Sequence, residues 1–176
     1  LGVVGLGKIG TKMARYGQAL GMRVLAWSEN LTADKAAAAG AQRVEKAVLL
    51  AESDAVSLHL VLSDRTRGIL GAADLGRMKA GAILVNTSRG PLVDEVALLA
   101  KLRTGSLIAA LDVYGEEPLP HDHPLRGLPN TVLTPHLGYC TGEVYAQFYR
   151  ESIENVLAFL DGKPVRVLNA EALSRK

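Results

Sequence analysis

An arginine, two acidic residues and a histidine stand out because each closely follows a short apolar run. Arg89 sits in VNTSRGPLVDE, Asp112 and Glu117 in ALDVYGEEPLP, and His136 in LTPHLGY. A guanidinium can grip a carboxylate with two hydrogen bonds and polarise the carbonyl next to it. A histidine can hand a proton to the alkoxide that forms when that carbonyl is reduced. A carboxylate beside such a histidine holds its tautomer and strengthens its grip on the proton. These types suit reduction of a 2-keto acid, provided that a nicotinamide hydride donor is bound close by. Taken singly, each has a plainer role open to it. Arg89 could cap a helix or lie on the surface, Glu116 and Glu117 could be loop charges, and His136 could be a turn residue behind Pro135.

A binding loop for such a donor lies at the start of the chain. Gly5-Leu6-Gly7-Lys8-Ile9-Gly10 is a G-x-G-x-x-G stretch directly after an apolar run and before a helical one. Gly5 permits the tight turn, Gly7 lets backbone approach a pyrophosphate, and Gly10 lets helix and strand pack closely. Lys8 and Ile9 contribute their backbone N–H groups at the helix start, where the dipole favours phosphate. The plainer reading is a structural glycine turn without a nucleotide. About 20 residues further on, an acidic side chain should meet the ribose hydroxyls of NAD. That place falls nearest Ser28, with Glu29 one step later. No Arg or Lys lies between Ser28 and Thr32, which favours NAD, while Ser28 in place of a carboxylate leaves NADP open. Glu29 can equally be a solvated loop charge.

The elements that must carry these groups alternate. Strand-like runs cover Leu1–Val4, Arg23–Trp27, Ala55–Leu60, Ala82–Asn86, Leu107–Asp112 and Thr131–Thr134, and Ala41–Val44 reads as a short strand or loop. Helical stretches cover Met13–Leu20, Asp34–Ala39, Glu45–Ala51, Leu75–Lys79, Glu95–Arg103 and Glu143–Leu160. In the last of these Tyr145, Tyr149, Ile153, Val156 and Leu160 recur at helical spacing on one face. Strands separated by helices mean βαβ units, so the expected fold is α/β: a doubly wound, mostly parallel sheet of the Rossmann kind with helices on both faces. Ligands bind such sheets at the carboxyl ends of the strands, where Arg89, Asp112 and His136 fall. Gly115–Pro135, rich in proline, reads as a long ordered loop.

The 176 residues, 48% hydrophobic and 22% charged, suit one globular domain rather than a disordered or fibrous chain. A balance of 20 basic against 18 acidic residues, without a basic block, gives no reason to expect nucleic acid. No apolar run approaches the ~18 residues of a membrane span. The single Cys140 rules out a disulfide framework within the chain and suits a reducing, cytoplasmic compartment. Leu1 begins inside an apolar run, as an excised domain would. PHDHP, with His121, Asp122 and His123, is read as a solvated loop, and no metal is expected. His59 is taken as a partly buried structural residue, Trp27 as core, Cys140 as lining, and 171–176 as a solvated polar tail.

GLGKIG, SLHLVLSDRTRGILG, LGRMKAGAILVNTSRGPLVDEVALLAKL, ALDVYGEEPLP and NTVLTPHLGY together resemble the cofactor-binding domain of the D-isomer-specific 2-hydroxyacid dehydrogenases. The resemblance runs from Leu1 to about Leu168, which makes 1–168 an NAD(P)-binding domain and 169–176 a polar tail. It implies Arg89 as substrate binder, His136 as general acid/base, Glu117 as its partner, and Asp112 beside the nicotinamide carboxamide. It adds Thr87, Ser88 and Gly138 to the nicotinamide side, and it implies a homodimer formed through cofactor domains. The expected activity is hydride transfer between NAD(H) and a small 2-keto or 2-hydroxy acid, giving the D alcohol. The family builds its substrate domain mostly from residues preceding the cofactor domain, so this chain alone is expected to bind NADH and turn over poorly. Two other readings share the fold: a non-catalytic NAD-sensing module of the corepressor kind, and oxidation of another small anion such as formate or phosphite.

Overall fold

The computed structural model describes residues 1–171. It divides into two compact units, Leu1–Leu137 and a second that starts at Gly138. The polar tail expected over 169–176 lies outside the described residues from 172 on.

The first unit holds β1 (Gly2–Val4), β2 (Leu25–Trp27), β3 (Gln42–Arg43), β4 (Ala55–Leu58), β5 (Ala82–Asn86), β6 (Leu107–Leu111) and β7 (Thr131–Leu133). They form one sheet in the order β3-β2-β1-β4-β5-β6-β7, with every neighbouring pair parallel. Between them run α1 (Lys8–Ala19), α2 (Ala33–Ala38), α3 (Lys46–Glu52), α4 (Ala72–Arg77) and α5 (Glu95–Arg103). The chain winds outward from β1 to β3, then returns past β1 to β4 and continues the other way. That reversal opens a crevice at the carboxyl ends of β1 and β4.

Successive strand residues point to opposite faces, and the core divides accordingly. Val3 and Ala26 pack with Ala14 of α1 and Ala36 of α2. Val4 and Leu25 pack instead with Leu49 and Leu50 of α3, Leu75 of α4, and Leu98 and Leu102 of α5. Both faces of the inner strands are thus apolar, as continuous runs such as GVV and LAW require. Further along the sheet, Ile83, Ile108 and Val132 remain exposed.

Helix α1 begins at Lys8, earlier than the Met13 that periodicity suggests, so Gly10 lies inside it. Close packing rather than helix propensity decides this: a Cβ at Gly10 would sit 2.0 Å from the Gly5 carbonyl oxygen. Helix α4 likewise begins earlier than expected, at Ala72, where the Gly71 N–H donates to the Asp74 carboxylate at 3.3 Å. In the second unit, α6 (Gly142–Leu160) is capped by Thr141, whose hydroxyl accepts from the Val144 N–H. Its expected apolar face is present, and none of its residues is buried.

Candidate active site

Six strand ends of the first unit, those of β1, β2, β4, β5, β6 and β7, carry the site. After β1, Gly5 adopts φ +98°, which glycine tolerates, and its N–H donates to the Trp27 carbonyl at 2.8 Å. Gly7 starts α1 without a side-chain cap, so the N–H groups of Lys8, Ile9 and Gly10 are not engaged by one. A Cβ on Gly7 would meet nothing within 4 Å, so open space faces that turn. Uncapped donors, the dipole of a full helix and open space above Gly7 together fit the pyrophosphate of a dinucleotide.

Beside this loop, at the ends of β2 and β4, lies a cavity of about 390 Å³ lined by Trp27, Glu29, Asn30, Leu60, Arg65 and Thr66 among others. The ammonium of Lys46 stands 5.8 Å from the Trp27 ring centroid and is itself tied to Asp74 at 3.0 Å and the Ile69 carbonyl at 2.9 Å. Trp27 is therefore partly core and partly cavity wall. Of the two ribose candidates, Glu29 faces the cavity, while half-buried Ser28 does not line it. His59, past β4, hydrogen bonds Ser57 at 2.9 Å, and burial pushes its pKa down.

The loop after β5 is organised by Asn86, which is buried. Its side-chain amide donates to the Arg89 carbonyl at 2.9 Å and its oxygen accepts from the Ser88 N–H at 3.1 Å. The Ser88 hydroxyl donates to the Leu58 carbonyl at 3.0 Å, joining this loop to the end of β4. Thr87 and Arg89 are exposed, and the Arg89 guanidinium donates to the Ser88 carbonyl. At Gly90 a Cβ would meet the Tyr114 carbonyl carbon at 2.0 Å, so the loops after β5 and β6 touch through backbone alone.

After β6, buried Asp112 accepts from the Thr134 hydroxyl and from the Leu137 N–H at 2.8 Å. Its carboxylate thereby fixes the turn that presents His136. The Tyr114 hydroxyl adds contacts of 3.0 and 2.8 Å to the Leu111 and Thr134 carbonyls. His136 itself sits at φ 57°, in the left-handed region that few residues other than glycine adopt. Its Nδ1 lies 2.6 Å from the Glu117 carboxylate, whose other oxygen accepts from the Tyr114 N–H at 2.9 Å. Partial burial pushes the Glu117 carboxyl upward. The hydrogen bonds from His136 and Tyr114, and the His136 and Arg89 charges, outweigh that and hold it below its ordinary value.

Arg89, Glu117 and His136 are thus brought to neighbouring strand ends, with Asp112 as a structural anchor beneath them. Gly138 opens the second unit, in which the Cys140 thiol lies 3.8 Å from the Tyr145 hydroxyl. PHDHP is less solvated than its composition suggests, because His123 is half-buried and pairs with Glu95 at 3.1 Å. No group of residues suited to a metal ion occurs among the described residues. Nor is any described helix long and apolar enough to cross a membrane. Gly90, Tyr114 and Thr134 escape motif reading because they meet residues of loops distant in sequence, and Asn86 because its amide serves only the backbone of its own loop.

The geometry has close counterparts. Residues 1–138 match the family model of the D-isomer specific 2-hydroxyacid dehydrogenase NAD binding domain. A glyoxylate reductase of Aeropyrum pernix is 42% identical over 175 residues, 98% of this chain and 52% of that protein. A phosphoglycerate oxidoreductase structure from Vibrio cholerae o395 superposes with a TM-score of 0.86 at 41% identity, covering 92% of this chain and 52% of that one. A D-lactate dehydrogenase from Aquifex aeolicus, complexed with NAD and lactic acid, gives a TM-score of 0.79 at 31% identity, covering 92% and 53%. The chain spans about half the length of the relatives it matches. A parallel sheet reversing at β1, a glycine loop open to a pyrophosphate and these sequence matches have one common explanation: the chain belongs to the D-isomer specific 2-hydroxyacid dehydrogenases, as their NAD-binding domain.

Proposed function

We propose that this chain serves hydride transfer between NAD(H) and a small 2-keto or 2-hydroxy acid, producing the D alcohol. The observation that carries the reading is the 2.6 Å pair of His136 with Glu117, close enough to Arg89 for its charge to depress the Glu117 carboxyl. Bound NADH would supply the hydride, with its pyrophosphate on the Gly5–Gly10 loop, its ribose toward Glu29 or Ser28, and its nicotinamide near Thr87, Ser88, Asp112 and Gly138. Arg89 binds the substrate carboxylate and draws electron density from the neighbouring carbonyl. Glu117 accepts from Nδ1 and so keeps the His136 proton to be transferred on Nε2. That proton goes to the substrate oxygen as the alcohol forms, and the reverse direction returns it to Nε2.

We place 1–168 as the cofactor domain of a two-domain enzyme. The part of the relatives that this chain does not match then supplies the second wall of the substrate pocket and sets which acid fits. A single cysteine supports the cytoplasm as the compartment. Exposed apolar residues on α6, such as Tyr149 and Ile153, support a homodimer. The corepressor reading has nothing in its favour here beyond the shared fold.

The test has two steps. Fluorescence titration of the chain with NADH should saturate, and no binding up to about 1 mM would remove the cofactor assignment. The full-length protein is then assayed for NADH oxidation with glyoxylate, hydroxypyruvate, pyruvate and phenylpyruvate, and for NAD reduction with formate and phosphite. Turnover of a 2-keto acid is expected, and turnover of formate or phosphite alone would replace the substrate class.

A further inference from the structure

The cavity at the ends of β2 and β4 holds a charge that the reading above does not use. Arg65 lines it together with Trp27, the last residue of β2, and with Glu29 and Asn30, which follow that strand. Arg65 sits in a turn closed by hydrogen bonds from the Thr66 and Arg67 N–H groups to the Ser63 carbonyl, at 3.0 and 2.9 Å. The Thr66 hydroxyl pins that turn to the Val61 carbonyl at 2.7 Å. Among the described residues, no hydrogen bond or ion pair engages the Arg65 guanidinium. The other cation near this cavity, Lys46, is already committed to Asp74 and the Ile69 carbonyl. The tip of β2 carries Ser28, where a dinucleotide fold selective for an unphosphorylated ribose places its carboxylate. A guanidinium in a cavity of nucleoside size, beside a strand tip where Ser28 stands and the carboxylate is displaced to Glu29, suits a ribose bearing a 2′-phosphate.

We infer that Arg65 supplies the counter-charge for a ribose 2′-phosphate, so that this chain takes NADPH as well as NADH. The inference rests on the cofactor reading and adds the residue that widens its choice. Glu29 is the opposing element. Its carboxylate lines the same cavity, where it accepts hydrogen bonds from the bare ribose of NADH and repels the phosphate of NADPH. The two side chains come from different loops, one after β2 and one after β4, so each cofactor has its own partner. Scanning the residues directly after β2 for a basic side chain misses this arrangement, because the arginine arrives from another loop.

Direct titrations of the chain with NADH and NADPH, followed by nucleotide fluorescence, test the inference without turnover. Both should bind at low ionic strength. Arg65→Ala should weaken NADPH about ten-fold or more and NADH less than about three-fold, since a charge-assisted contact to phosphate is lost in one case only. Arg65→Lys should recover part of the NADPH affinity, and Glu29→Gln should shift preference toward NADPH. Added salt should erode NADPH binding more than NADH binding in the wild type and not in Arg65→Ala. Saturable NADH binding without NADPH binding overturns the inference and leaves the cofactor reading standing. Equal weakening of both cofactors by Arg65→Ala also overturns it, because the arginine would then serve adenine or the loop. Failure of both cofactors to bind the wild type removes the cofactor reading and this inference together.

Discussion

His136 carries three constraints at once: a left-handed backbone, a carboxylate on Nδ1, and a turn anchored by Asp112. The proposed roles make separable demands on its neighbours. Arg89→Ala should abolish keto acid reduction in the full-length protein while NADH affinity stays near wild type, read by paired activity and fluorescence titrations. Glu117→Gln removes the acceptor that orients His136, and kcat should fall roughly 10²–10⁴-fold. A Glu117→Gln enzyme at wild-type kcat would show that the pair is ornamental. Because the Glu117 carboxyl is held below its unfolded value, its pairing stabilises the fold above that value and is lost as pH falls through the folded one. His59 works by a different route. Burial lowers its folded pKa, so the unfolded chain binds the extra proton first and stability declines as pH drops below about 6.5. Thermal melts at pH 7.5 and 5.5 should therefore converge in His59→Gln, and an unchanged gap would contradict this. Chemistry-bearing side chains are legible in sequence because few types can do the work. Tyr114 and Thr134 are not, since a hydroxyl acquires its role only from the strand that ends beside it.

At the level of elements, the alternation of apolar runs and helical stretches exposes the whole strand order's ingredients, and the structure places each strand within or beside its expected range. Boundaries shift where packing overrides propensity, as at Lys8, where a glycine-bearing turn joins α1. Two glycines of the same loop separate packing from binding. Gly10→Ala would drive a Cβ against the Gly5 carbonyl, so a loss of about 1–3 kcal/mol is expected in denaturant melts, together with weaker NADH binding. Gly7→Ala meets open space in the protein, so stability should hold while NADH affinity drops. Equal destabilisation by both would mean that the loop serves only the fold. The cavity at the ends of β2 and β4 illustrates what spacing hides: Trp27 and Arg65 are distant in sequence, and the parallel pairing of β1 with both β2 and β4 brings them to one cavity.

For the molecule as a whole, α6 is the least self-sufficient part. Its nineteen residues are capped and regular, yet Tyr149, Ile153, Val156 and Leu160 all stay exposed. Helical periodicity makes that face readable from sequence but cannot say what it packs on. With a second copy as its cover, sedimentation at micromolar concentration should show a dimer, and Ile153→Asp should shift it toward monomer without lowering cofactor affinity. A monomeric wild type at high concentration would rule this out. The contact of Gly90 with Tyr114 has a wider consequence. With no side chain between them, the loop that carries Arg89 and the loop that leads to Glu117 meet backbone to backbone. Under the proposed roles, the spacing between a carboxylate gripped by Arg89 and the Glu117–His136 pair is then set by backbone. The full-length protein is therefore expected to reduce a 2-keto acid faster than its 3-keto isomer, and equal turnover of the two in an NADH-oxidation assay would contradict this.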